Sequence, residues 1–188
     1  MSAFTYEIDV EEVERELANL IARLDNPAGF HSNVAQHLAS STQENFAREE
    51  SPDGVKWKAL LPSTIRGRIG KGISPLGILR ASGKLRGSIR TQSSADSASI
   101  GSPKEYAAIH QLGGEIKKEA RAGEIFLKRN ARTGEIGNRF VKRKAANAVQ
   151  DVQIPAHTIK IPARPFLGIG ESDRVAIINY ADQWLSGE

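Results

Sequence analysis

Residues 78–114 read ILRASGKLRGSIRTQSSADSASIGSPKEYAAIHQLGG. The pattern is helix, strand, turn, strand, helix, closed by a double glycine. Ser82 is placed to cap a short helix that sets Leu85 and Ile89 four residues apart on one side. Residues 88–92 then read as a strand, Ser94-Ala95-Asp96-Ser97 as a turn, and Ala98-Ser99-Ile100-Gly101 as the return strand of a small hairpin. Residues 103–112 form a second helix with Pro103 in its first turn and an apolar stripe of Tyr106, Ile109 and Leu112. Gly113-Gly114 ends that helix, because glycine enters the left-handed region without a Cβ penalty.

On the N-terminal side, residues 6–24 have a helical period. Ile8, Val13, Leu17, Leu20, Ile21 and Leu24 fall near one face, and Glu11, Glu12, Glu14 and Arg15 mostly on the other. Asp9 with Glu12 three residues on suggests a capping box, and Asn26-Pro27-Ala28-Gly29 ends the segment. Residues 30–49 are expected to form a second helix, with Val34, Leu38, Ser41, Thr42 and Phe46 along one side, antiparallel to the first. Pro52-Asp53-Gly54 is a turn, since proline presets φ and glycine supplies a positive one. Trp57 follows as a core anchor, with stacking on a nucleic-acid base as its rival role. Pro62-Ser63-Thr64 opens a short helix, and residues 70–77 read as a mobile loop.

On the C-terminal side the texture changes. Gly-Glu-Ile occurs at Gly114, Gly123 and Gly134, too irregularly for a solenoid. The run EIFLKRNARTGEIGNRF, with its turn at Asn130-Ala131-Arg132-Thr133-Gly134, reads as a basic hairpin. Residues 139–149 read equally as a short helix or as disordered chain. Residues 154–162 alternate apolar and polar between two prolines, as an edge strand does. Phe166 and Leu167 return the chain to the core. Ser172 or Asp173 then caps a last helix, residues 174–185, with Val175, Ile178, Tyr180 and Trp184 on its buried face. The fold class is therefore α+β: a helical hairpin and a C-terminal helix packed on a small antiparallel sheet, with a projecting basic β-hairpin arm. A single domain is expected, divided into a helical hairpin (1–50), a central α+β core (51–114), the basic arm (115–162) and the return segment with the last helix (163–188).

The 188 residues suffice for one domain with a real core. The net charge is only +4, but it is segregated. Residues 1–20 hold six acids and one base, residues 56–90 nine bases and no acid, and residues 115–164 twelve bases and five acids. Such a pattern fits head-to-tail contacts between copies or a basic surface facing nucleic acid, and equally a set of solvated faces. Arg66, Arg68 and Lys71 in the first basic region, and Lys128, Arg129, Arg132, Lys142, Arg143 and Lys144 in the arm, are the candidate partner or DNA contacts. The absence of cysteine excludes disulfides and thiolate chemistry. No run of about 18 apolar residues predicts a membrane span, and the acidic start does not resemble a signal peptide.

No catalytic, metal or cofactor set is expected. His31 and His37 stand six apart, where a metal pair on a helix needs a spacing of three or four. Gly70-Lys71-Gly72 lacks the rest of a phosphate loop. Ser102, Asp96 and His110 are close in sequence, but no nucleophile elbow orders them. His110 is expected to bond a backbone carbonyl at its helix end.

The ordered set of Pro52-Asp53-Gly54 with Trp57, Ile78-Leu79 with Ser82-Gly83 and Leu85, Ile100-Gly101-Ser102 with Tyr106-Ala107, Ile109-His110-Gln111 with Gly113-Gly114, and Pro162 with Arg164-Pro165-Phe166-Leu167-Gly168 resembles the phage virion morphogenesis (tail completion) proteins of Mu-like and related tailed phages. The order, and the pairing of IHQ-GG with a late RPFLG, carry the likeness. It implies a non-enzymatic structural protein of the virion, assembled in the host cytoplasm and placed at the head–tail junction or the head-proximal end of the tail. It also implies a ring-forming connector component, sixfold to match a tail tube, whose partners are further copies of itself and neighbouring neck and tail proteins. Alternatives are a tail-terminator-like ring, a basic DNA-binding module lining the DNA channel, and a hydrolase built around His110.

Overall fold

The computed structural model describes residues 10–73 and 77–187. It divides into two compact units, one made of Met1–Gly113 with Pro162–Glu188 and the other of Gly114–Ile161. The fold is α+β, with helices, small antiparallel sheets and a strand-hairpin arm.

In the first unit, helix α1 (Glu11–Asp25) follows Val10, which provides no side-chain cap. The cap expected at Asp9 lies outside the described residues. Pro27 separates α1 from α2 (Ala28–Arg48), the central helix. Helix α2 buries Val34, Ala35, Leu38, Thr42, Asn45 and Phe46. It lies on the hairpin of β1 (Arg90–Ser93) and β2 (Ala98–Gly101) and on α5 (Glu171–Ser186). Helix α1 takes α5 as its main partner. The Trp184 indole of α5 donates to the Arg23 carbonyl of α1 (3.3 Å), and an Arg23 guanidinium N–H donates to the Leu185 carbonyl (2.7 Å).

The core joins Phe46, Trp57, Ile78, Leu85, Ile89, Ala107 and Phe166. Phe46 and Phe166 are wholly buried with ring centroids 5.1 Å apart, and Trp57 meets Phe46 edge-on at 5.7 Å. Side chains of this kind each stabilise the fold by about 1.5–3 kcal/mol through burial alone. Glu49 ends α2 in the left-handed region (φ 58°). Its carboxylate accepts the Ile78 N–H (2.8 Å) and its carbonyl accepts the Trp57 N–H (2.8 Å), which offsets the cost of about 1–2 kcal/mol of that backbone. The turn before Trp57 forms as its residues dictate, with Gly54 at φ 75° donating to the Ser51 carbonyl.

The central stretch departs from expectation in detail. Leu85 and Ile89 are buried, but only a 3-10 turn (Arg86–Ser88) connects them, and no side chain caps it, so Ser82 is not a cap. Gly83, at φ 67°, supplies the reversal instead. Helix α4 is shorter than expected, Ala107–Leu112. Ser102 Oγ accepts the Lys104 N–H (3.2 Å), and the Lys104 carbonyl accepts the Ala107 N–H (2.9 Å). Residues 103–106 therefore form turns. Over so few residues the stripe does not face the core: Ala107 is the buried residue, while Tyr106 and Leu112 are exposed. Gly113, at φ 74°, ends the helix as expected. Helix α3 (Pro62–Ile69) carries proline in its first turn. Part of the loop expected to be mobile, residues 74–76, lies outside the described residues.

Helix α5 begins before the expected start. Asp173 caps it from within: one carboxylate oxygen accepts the Gly170 N–H (2.9 Å) and the other accepts from His37 Nε2 (2.9 Å). Val175 and Ile178 are exposed, contrary to expectation, and the half-buried side holds Tyr180, Ala181 and Trp184. The helix starts three residues earlier, at Glu171, with Asp173 turned to the core. That sets the phase.

The second unit is a two-stranded antiparallel ribbon in two ladders. Strand β3 (Gly114–Lys118) pairs with β6 (His157–Ile161), and β4 (Arg121–Leu127) with β5 (Ala148–Ile154). The pairs Lys118↔His157 and Arg121↔Ile154 enclose two residues on each strand, so the register continues through the break at Pro155. Residues 139–149 are neither helix nor disordered chain. They contain a single 3-10 turn (Arg143–Ala145) and then enter β5. Ile154 belongs to β5, and the alternating edge strand is β6 alone.

Candidate functional site

The IHQ and RPFLG segments meet in the first unit through one side chain. Gln111 Oε1 accepts the N–H groups of Phe166 (3.0 Å) and Leu167 (3.1 Å), and its Nε2 donates to the Leu167 carbonyl (2.7 Å). The amide thus gives an irregular segment the pairing a neighbouring strand would give. Asn45 Nδ2 donates to the Phe166 carbonyl (3.3 Å), the Trp57 indole to the Pro165 carbonyl (2.8 Å), and the Arg164 N–H to the His110 carbonyl (2.8 Å). Arg164 is itself buried, and its guanidinium donates twice to the Lys58 carbonyl (3.0 and 2.9 Å). Its pKa is lowered, first by burial and then by Arg68.

His110 does not bond a carbonyl through its ring. Its Nδ1 is buried without a partner, and its ring meets Tyr106 edge-on at 6.0 Å. Burial, and then the nearby Arg164 charge, lower its pKa and favour the neutral imidazole. The other members of the conceivable catalytic set lie elsewhere. Ser88 Oγ uses its one proton on the Leu85 carbonyl (2.7 Å), so Ser102 Oγ donates to Ser88 Oγ (2.7 Å). Asp96 sits exposed in the β1–β2 turn. These bonds serve the fold. Among the described residues no group of three His, Cys, Asp or Glu could hold a metal, and no helix is long and apolar enough to cross a membrane.

The candidate basic contacts fall into two groups. In the first unit Arg66 and Lys71 are exposed on α3 and the turn after it, while Arg68 is half-buried and donates to the Gly77 carbonyl (2.8 Å). In the second unit Lys128, Arg129, Arg132, Lys142, Arg143 and Lys144 are all exposed in the segment joining β4 to β5. With Arg139 they give residues 128–147 seven bases against one acid, Glu135. The segment is shaped by asparagines. Asn147 Oδ1 accepts the Arg129 N–H (2.5 Å), Asn147 Nδ2 donates to the Arg129 carbonyl (2.9 Å), and Asn130 Oδ1 accepts the Arg132 N–H (2.9 Å). Arg143 lies over the Phe126 ring, 5.7 Å from its centroid.

A surface that the charge pattern did not point to is the outer side of α1. Val13, Leu17, Ile21 and Leu24 keep more than half of their surface in water. A groove of about 470 Å³ runs beside them, lined by apolar Val13, Leu17, Leu20 and Leu185 together with the charged Glu12, Glu16 and Arg23. Apolar periodicity marks such a stripe but does not say whether anything covers it.

The sequence pattern that defines the phage virion morphogenesis family matches residues 8–186. The chain belongs to that family. Over 108 residues this virion morphogenesis protein is 46% identical to "Putative capsid assembly protein G" of Escherichia phage Mu, a match spanning 57% of this chain and 69% of that protein. No solved structure matches it. It is a structural virion morphogenesis protein related to capsid and tail assembly, from a family that is structural rather than catalytic.

Proposed function

We propose that this virion morphogenesis protein acts in tail completion and head–tail joining as a connector component that closes into a ring, sixfold to match a tail tube, with its basic arm grasping the next component. The observation that carries this reading is the second unit. A two-stranded ribbon is marginal alone in water, and both of its edges lack a strand partner within its own sheets. Its far end nevertheless holds an ordered, strongly basic segment. An element with so little core gains most from a surface it docks on. The first unit, with its own aromatic core, serves as the body of the ring.

The seven bases against one acid also favour a second reading, in which the same segment faces DNA in the channel of the joint. Exposed Arg66 and Lys71 would add to that contact.

The test is complementation of a phage lacking this protein, using the chain with Gly114–Ile161 replaced by a short Gly-Ser linker. The His110–Arg164 hydrogen bond holds the cut ends within reach in the first unit, which is expected to fold alone. Electron microscopy should then show defective tails or unjoined heads and tails. Normal infectious particles would overturn the reading. Salt-sensitive binding of the intact chain to duplex DNA would favour the DNA-facing variant over the neighbour-grasping one.

A further inference from the structure

We propose that the groove between α1 and α5 receives the Phe140 region of the arm of a second copy, so that copies join head to tail. This rests on the ring reading above and specifies its contact. The two surfaces match in two ways, in apolar character and in charge. The groove is lined by apolar Val13, Leu17 and Leu20, and of the large apolar side chains that the arm exposes, Ile136, Phe140, Val149 and Ile159, Phe140 is the most exposed, with 70% of its surface in water. Two acids, Glu12 and Glu16, line the groove with Glu14 close by on the same helix, against one base, Arg23, whose guanidinium is engaged with the Leu185 carbonyl (2.7 Å). Phe140 follows Arg139 and precedes Lys142, Arg143 and Lys144. An apolar anchor flanked by bases is the chemistry such a groove selects.

Phe140 is also held in place. The next residue, Val141, donates its N–H to the Phe126 carbonyl (2.9 Å), which ties the segment to β4. An exposed aromatic on a fixed backbone gives up little conformational entropy on docking. The groove is equally fixed, by the two hydrogen bonds that join Arg23 of α1 to the end of α5.

Groove and arm are different surfaces, so the contact is heterologous. It generates a closed ring if the rotation between copies closes and an open filament if it does not. It also makes a strict prediction about mixtures. Leu17→Asp damages the groove and leaves the arm intact, while Phe140→Asp does the reverse. Both residues are more than half exposed, so each variant should keep the melting profile of the parent chain.

Sedimentation velocity on the full chain at low salt should show assembly of the parent and association weakened roughly 30-fold or more in each variant alone. An equimolar mixture of the two should form one-to-one dimers and stop there, because each pair has a single sound interface. Glu12→Lys with Glu16→Lys should also abolish assembly, and adding Arg139→Glu with Lys142→Glu should restore it. A parent chain that stays monomeric, a single variant that assembles normally, a mixture that does not pair, or a charge exchange that fails to rescue would each overturn the contact. The complementation experiment decides the joining role separately. If arm-less chains still give unjoined heads and tails while the charge exchange fails, the role stands and another surface makes the ring.

Discussion

Removing the amide of Gln111 should loosen the closing segment of the fold, and Gln111→Met isolates that effect because it keeps most of the apolar stem. The wild-type amide makes three hydrogen bonds to the Phe166 and Leu167 backbone, all part-buried. Each such bond contributes about 0.5–1.5 kcal/mol net, and an unmade one in a buried place costs about 1–3 kcal/mol. Part-exposure lets water replace some of the loss, so a destabilisation of about 2–3 kcal/mol is expected. For a chain of this size, that lowers Tm by about 4–12 °C. Urea denaturation gives the free energy, and amide hydrogen exchange gives the location. Protection should fall at Phe166 and Leu167 before it falls along α2. A change under about 0.5 kcal/mol, the size expected of an ordinary surface substitution, together with unchanged protection at those amides, would refute the clamp.

Gly170→Ala should destabilise by about 1–3 kcal/mol, since its Cβ would overlap the Pro52 carbonyl oxygen, a backbone atom with little freedom to move; an unchanged thermal melt would contradict this. His110 carries a pH dependence. Its folded pKa lies below the ordinary 6.5, so the unfolded chain binds the proton more readily and stability falls as pH drops below about 6.5 toward the depressed folded value. Thermal melts between about pH 5 and 7.5 should show a shallower slope for His110→Gln than for the parent, and equal slopes would remove His110 as a cause.

Features set by nearby residues were legible in the sequence. Pro52-Asp53-Gly54, the Ser94-Ala95-Asp96-Ser97 turn and the Gly113 cap each impose a local backbone, and Trp57 and Phe166 are too large and apolar to leave outside. The likeness of the IHQ and RPFLG segments to one family was also legible, but its physical basis was not. Gln111 acts on residues 55 and 56 positions away, and nothing in its own neighbourhood marks an amide as a strand substitute. The arm failed for a similar reason. The Asn130–Gly134 turn is real, but it closes only the bridge Arg129↔Ile136, whereas the long ladder of β4 goes past it to β5. For α1 and α5 the period located the apolar residues without saying which would be covered. Val13, Leu17, Val175 and Ile178 remain in water. Of the nine basic residues singled out, Arg68 has structural work at the Gly77 carbonyl, while the six in the arm share one exposed segment.

The central claim, a structural connector that rings the head–tail joint, is tested most directly by a cryo-EM reconstruction of the neck of the intact virion, with this chain located by a fused tag. The expected result is a closed ring of copies at the joint, the α1–α5 face of each meeting the arm of the next. A neck that lacks this chain, or one in which it sits as isolated copies away from the joint, would contradict it.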